Sequence, residues 1–157
     1  NELGDARVAV EIRRQTSSAH RSTGTRRADT VDMSVHQFFR RYAELALGPS
    51  PEALAPLYAP TFIIGGPEGS RALPNDRAFL SWLGQVGAFN REHRMRALTP
   101  LSVRESPLNA THTVATVTWD ARFDKTGDRP LTFDITYLLE RGRDEHGEPW
   151  RILAYIS

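Results

Sequence analysis

Three stretches in the C-terminal third decide the fold: THTVATVTWDARF at 111–123, LTFDITYLLE at 131–140 and WRILAYIS at 150–157. Each alternates apolar and polar residues with the period of two that belongs to a strand half-buried against a core. Parity sorts their side chains into two faces. One face carries Ala115, Val117, Trp119, Ala121 and Phe123, then Leu131, Phe133, Ile135, Tyr137 and Leu139, then Trp150, Ile152, Ala154 and Ile156. It is almost wholly apolar and must be covered. The opposite face carries Val114, Thr116, Thr118, Asp120 and Arg122, then Thr132, Asp134, Thr136, Leu138 and Glu140, then Arg151, Leu153 and Tyr155. A fourth strand is expected over Ala97 to Glu105, and the joints at Ser106–Asn109, Asp124–Asp128 and Gly142–Pro149 are short enough for antiparallel neighbours.

Upstream of the strands the period changes to that of helices. Ser34 is placed to cap a helix whose apolar stripe is Val35, Phe38, Phe39, Tyr42, Leu45 and Ala46, stopped by Gly48-Pro49. Ser50 and Pro51 open a second helix with Leu54, Leu57 and Tyr58 on its face, kept short by Pro56 and Pro60. Thr61 to Ile64 reads as a buried strand, and the run Gly65-Gly66-Pro67-Glu68-Gly69 turns it into a small hairpin. Pro74-Asn75-Asp76 opens a third helix with Phe79, Trp82, Leu83, Val86 and Phe89 on one face. Gly84 and Gly87 inside it each cost about 1 kcal/mol relative to alanine, which implies close packing there or an early helix end. The expected class is α+β: helices packed on the apolar face of an antiparallel sheet, in the order α-α-β-β-α-β-β-β-β, making a closed cup.

Residues 1–32 differ in kind. They are rich in Ser, Thr and Arg and poor in large apolar side chains, and Arg7, Arg13, Arg14, Arg21, Arg26 and Arg27 stand against Glu2, Asp5, Glu11, Asp29 and Asp32. Such a mixed-charge segment is expected to be a disordered extension, with Met33 a candidate start and 33–157 the folded domain. At 157 residues the chain has room for an ordinary core. The absence of cysteine excludes thiolate catalysis and cysteine-ligated zinc and suits the cytoplasm. A formal charge of +1 gives no footprint for nucleic acid, and no apolar run reaches membrane-spanning length. No histidine pair has metal-ligand spacing, the glycine run at 65–69 lacks the lysine of a phosphate-binding loop, and no cofactor motif is present.

The order of elements, together with the phrases Phe38-Phe39-Arg40-Arg41-Tyr42, Leu57-Tyr58-Ala59-Pro60-Thr61-Phe62 and Pro149-Trp150-Arg151-Ile152-Leu153-Ala154-Tyr155, resembles the nuclear transport factor 2-like superfamily. This is the cystatin-like cone fold, which includes SnoaL-like and ketosteroid-isomerase-like proteins. The resemblance covers Met33 to Ser157. It implies that the sheet is strongly curved and the cup a cone, with a pocket between helices and concave sheet face, and often a homodimer through the convex face. It implies no single activity, because isomerases, dehydratases, cyclases, epoxide hydrolases and non-catalytic binding modules share the fold. Tyr42 matches the helix-one tyrosine of the isomerases, and Asp134 lies near their strand acid, but Thr61 to Gly66 holds no carboxylate where their base belongs. Asp120, Arg122 and Asp134 are the residue types of the epoxide hydrolases, on the face that parity turns outward. His93, between the third helix and the sheet, is the histidine nearest the expected pocket mouth.

Enzymatic status is open on these grounds, with Tyr42, His93 and Asp134 the catalytic candidates. Phe38, Tyr42, Tyr58, Trp82, Trp119, Phe133 and Tyr137 are the expected pocket lining. Such a wall suits a flat apolar or aromatic small molecule better than a charged one. The leading expectation is a small-molecule-binding protein. The alternatives are an isomerase, dehydratase or cyclase acting on a hydrophobic metabolite, and a non-catalytic dimerisation or interaction module.

Overall fold

The computed structural model describes residues 33–124, 129–142 and 148–157, so the expectation of a disordered extension at 1–32 lies outside the described residues. Helix α1 spans Val35–Leu47. Its start is fixed by a reciprocal cap: Gln37 N–H donates to Ser34 Oγ at 3.2 Å, and Ser34 N–H donates to Gln37 Oε1 at 2.9 Å. The stripe read from sequence buries Val35, Phe38, Phe39 and Ala43.

Pro51–Leu57 is a 3-10 helix, not the short α-helix expected. Pro56 has no amide hydrogen to donate and its ring crowds the carbonyl four residues back, so an α turn is not propagated and the segment stays a short piece of the tighter helix. The chain passes directly into β1, Tyr58–Gly66, and returns as β2, Gly69–Pro74. Gly66 and Gly69 pair across the turn, where Gly69 has φ +115°, a conformation that glycine adopts without a side-chain clash. Helix α2, Arg77–Glu92, starts at Asp76, whose Oδ1 accepts from the Ala78 and Phe79 amides at 2.9 and 3.2 Å. The helix runs through both glycines, and close packing accounts for Gly87. A Cβ on Gly87 would collide with the Pro51 ring of the 3-10 helix. Asn75 Nδ2 strengthens the same junction by donating to the carbonyls of Ala55 at 2.8 Å and Tyr58 at 3.1 Å.

Four long strands follow: β3 at Met95–Pro107, β4 at His112–Phe123, β5 at Leu131–Arg141 and β6 at Trp150–Ile156. All six strands form one sheet in the order β2-β1-β6-β5-β4-β3. The sheet is mixed, not antiparallel as expected, because β1 lies parallel to β6. No alternation pattern within a strand encodes a partner so distant in sequence.

The register between β4 and β5 is regular, with Ala115 opposite Tyr137, Val117 opposite Ile135 and Trp119 opposite Phe133. That apolar face carries the core, in which Trp119, Tyr137, Leu139 and Ile152 meet Phe38, Phe39, Leu57 and Phe62. Between β5 and β6 the register slips: Ile152 faces Leu139, but Ala154 faces Leu138 and Tyr155 faces Tyr137. The extra residue reverses the parity of the strand end. Tyr155 therefore joins the concave face, and Ile156, expected there, is 42% exposed. The Trp150 indole donates to the Met33 carbonyl at 3.0 Å, and Arg41 pairs with Glu148 at 2.8 Å, so the start of β6 is tied both to α1 and to the residue before its cap. No described helix is long and apolar enough to cross a membrane.

Candidate functional site

Between α1, the 3-10 helix, α2 and the concave face of the sheet lies a cavity of about 130 Å³. Its floor is Trp119, Phe133, Ile135, Tyr137 and Tyr155 from β4, β5 and β6. Tyr42 and Ala46 of α1, Leu54 of the 3-10 helix and Tyr58 and Phe62 of β1 make one wall, and Phe79, Trp82, Val86 and Asn90 of α2 make the other. Met95 and Leu98 of β3 and Arg71 of β2 complete it.

The chain has 4 tyrosines, and all of them line this cavity. Their hydroxyls are organised by two hydrogen bonds. Tyr42 and Tyr58 share one at 2.8 Å, in which either hydroxyl donates, so the accepting partner keeps a proton to offer elsewhere. The Trp119 indole donates to the Tyr137 hydroxyl at 3.1 Å, which leaves the Tyr137 proton free for another acceptor. Tyr155 packs edge-on against Tyr137, ring centres 5.7 Å apart.

Burial pushes all four phenols above their usual range. It is the main cause at Tyr42, where the Tyr58 hydrogen bond opposes it, and at Tyr155. Burial is also the main cause at Tyr58 and Tyr137, which are pushed well up, and repulsion between a phenolate and the neighbouring phenols adds to the rise at Tyr58, Tyr137 and Tyr155. Near neutral pH the cavity thus holds neutral phenols that act as hydrogen-bond donors and cannot act as bases. Among the described lining residues there is no aspartate, glutamate or histidine, the groups suited to abstracting a proton.

Six of the side chains expected at the pocket, Tyr42, Tyr58, Trp82, Trp119, Phe133 and Tyr137, are brought together here. Phe38 is not at the wall. It is fully buried behind it, edge-on to Phe39 at 5.2 Å, because the α1 stripe is wide enough to place one phenylalanine under the other. His93 terminates α2, with its ring stacked on Phe89 at 3.8 Å and its Nδ1 2.9 Å from the Phe89 carbonyl, and it does not line the cavity. Asp134 is on the convex face, 55% exposed, where Thr118 Oγ1 donates to it at 2.6 Å and Arg104 lies 3.6 Å away. Arg122 approaches Asp120 at 3.4 Å on the same face, so the carboxylate–arginine cluster is outside the cavity.

Sequence reasoning missed Tyr155, Arg71 and Asn90. Tyr155 depends on the slip in β6, and the run Ile152-Leu153-Ala154 is apolar at three consecutive positions, so it fits either parity. Arg71 is on β2, the return strand of the expected hairpin, whose residues were assigned to no face. Asn90 continues the helical spacing of Phe79, Trp82, Leu83 and Val86, a signal that was available but hidden by its polarity.

No protein-family model and no curated protein matches the sequence. Solved structures do match in shape. A domain of unknown function with a cystatin-like fold from Nostoc punctiforme has 18% identity and a TM-score of 0.58 over 82% of this chain and 77% of that one. A protein of Novosphingobium aromaticivorans, described as NTF2-like with a cystatin-like fold, gives 13% identity and a TM-score of 0.60 over 78% and 77%. Nuclear transport factor 2 of Cryptosporidium parvum gives 17% identity and a TM-score of 0.50 over 76% and 86%.

Proposed function

From the premise that this chain has the cystatin-like fold of nuclear transport factor 2-like proteins, we propose that it binds a small, flat, largely apolar molecule in the tyrosine-walled cavity. The observation that carries this reading is the gathering of all four tyrosines at one cavity, with at least two phenolic protons not used among the described residues. Those protons suit a carbonyl, ether or other oxygen acceptor on the ligand, and the aromatic walls suit its body. At about 130 Å³ the cavity is of the same order as the roughly 150 Å³ apolar protein cavity that holds benzene, which sets its scale at a single ring or less.

Titration with a panel of monocyclic aromatic compounds tests the reading. Trp82 and Trp119 both line the cavity, so occupancy is expected to change the intrinsic tryptophan fluorescence. Tyr42→Phe and Trp119→Ala are expected to weaken whatever binds, while Asp134→Asn on the convex face leaves it unchanged. If both cavity substitutions leave every affinity in the panel unaltered, the cavity is merely packing and the binding function is wrong.

A catalytic reading draws on one specific feature, the Tyr42–Tyr58 pair, which could polarise a bound carbonyl. Turnover would then require the base to come from the substrate or from water, given the lining described above. A homodimer through the convex face is part of the same proposal. On that face Val114 opposes Leu138, both only half-covered, beside the hydrogen-bonded Thr116–Thr136 pair at 3.0 Å. Sedimentation showing a monomer at high protein concentration would remove it.

A further inference from the structure

Helix α2 packs with one side and bounds the cavity with another. A side chain at Gly84 would meet Glu52 and one at Gly87 the Pro51 ring, so that side rests on the 3-10 helix, while Phe79, Trp82 and Val86 line the cavity. The half-buried aromatic side chains of the wall are Tyr42, Trp82, Phe133 and Tyr155. Three of these are tied to other elements: Tyr42 is hydrogen-bonded to Tyr58 at 2.8 Å, Tyr155 packs edge-on against Tyr137, and Phe133 sits opposite Trp119 in the regular register of β4 and β5. Trp82 is not. Its aromatic neighbour is Phe79, three residues back on the same helix, stacked with ring centres 5.9 Å apart. The indoles of Trp119 and Trp150 each donate a hydrogen bond, whereas that of Trp82 meets no acceptor among the described residues.

Resting on the binding function proposed above, we infer that Trp82 is the specificity-determining residue of the cavity: its indole sets the upper size of the ligand at one aromatic ring. The cavity holds about 130 Å³, against roughly 300–1,000 Å³ for sites that take drug-sized molecules, so a single indole is a large part of what bounds it. Removing that indole extends the space without cutting a hydrogen bond and without touching the side of α2 that rests on Pro51. A second fused ring then has a place, and the apolar area it buries turns from a steric penalty into a gain.

The test compares acetophenone with 2-acetonaphthone, which keeps the carbonyl and adds one fused ring, by titration calorimetry on the full chain. Without a size limit the larger ketone binds more tightly, so a wild-type preference for acetophenone of at least about tenfold is the expected sign of exclusion. In Trp82→Ala the preference reverses. In Trp82→Phe, which keeps a ring beside Phe79 and carries the test should the alanine variant not fold, it shrinks. Leu80→Ala, on the same helix but outside the lining, leaves it as in the wild type. Binding of 2-acetonaphthone to Trp82→Ala alone also supports the size limit. A wild type that binds the larger ketone as well as or better than the smaller, a preference for acetophenone that persists unchanged in both Trp82 variants, or an equal change in Leu80→Ala overturns the inference and leaves the binding function standing. Binding of neither ketone to the wild type or to any variant overturns the inference together with the carbonyl-accepting cavity on which it rests.

Discussion

Two glycines one helical turn apart in α2 are expected to respond to the same substitution with opposite sign. Alanine at either position gains about 1 kcal/mol of helix propensity, since glycine is the costlier residue in a helix interior. At Gly84 the new methyl would meet a single atom, Glu52 Oε1, at 3.1 Å, the far end of a flexible and solvated side chain that can move aside. Gly84→Ala should therefore stabilise by about 0.5–1 kcal/mol. At Gly87 the methyl would collide with Cγ of Pro51 and lie 2.9 Å from its Cβ, and a proline ring has no rotamer into which it can retreat. Separating α2 from the 3-10 helix costs about 1–3 kcal/mol by the usual penalty for overpacking, so Gly87→Ala should destabilise by about 1 kcal/mol net. The two variants should then differ by about 2 kcal/mol, or roughly 1 M in urea midpoint for a domain with a slope near 2 kcal/mol per M. Chemical unfolding followed by tryptophan fluorescence measures it directly. A Gly87→Ala protein as stable as Gly84→Ala would refute the argument that close approach to Pro51 is why glycine stands there.

Tyr137→Phe should cost about 1–3 kcal/mol in the same assay, because it leaves the buried Trp119 indole N–H without its acceptor. Stability should fall steeply above pH ~10. The folded chain keeps four phenols protonated that the unfolded chain ionises near their usual pKa of about 10, so the contribution is whole below that pH and is lost at up to about 1.4 kcal/mol per tyrosine per pH unit above it. Phenolate absorbance should accordingly rise together with loss of secondary structure, and phenolate appearing first in a fully folded protein would contradict the burial. Arg41→Ala should cost about 1–3 kcal/mol, less than for a wholly buried pair because Arg41 is half exposed, while Glu148→Gln should cost less, since the charge it leaves unpaired, on Arg41, is solvated and that on buried Glu148 is removed. A double-mutant cycle in urea separates the pairwise term.

The legible parts of this molecule are those where a local pattern and the tertiary environment agree. Along most of β4 and β5 the alternation is clear enough that parity alone put Trp119 and Phe133 on one face, and the structure sets them opposite each other. In β6 three apolar residues in succession remove the phase information at the point where the backbone gains a residue, and Tyr155 was assigned to the wrong face. The parallel pairing of β1 with β6 is a long-range choice of partner, set by which edges remain open after the other strands have paired. The candidate site divides in the same way. Its aromatic wall followed from periodicity, whereas Arg71 and Asn90 are polar residues whose place in the wall comes only from what surrounds them in space.

That parallel pairing has a consequence for how the protein is assembled. The strand last in sequence order lies in the middle of the sheet, between β1 and β5, so the early hairpin and the later β3–β4–β5 meander have no direct strand contact with each other. Each half must wait with one edge open until β6 inserts, a closure over most of the chain that is costly in loop entropy and slow by topology. Because β6 also brings Tyr155 to the floor, the cavity is completed in the step that joins the two halves. A folding intermediate lacking β6 would expose two sheet edges and an unfinished aromatic bowl, and that is the species from which aggregation is expected to begin.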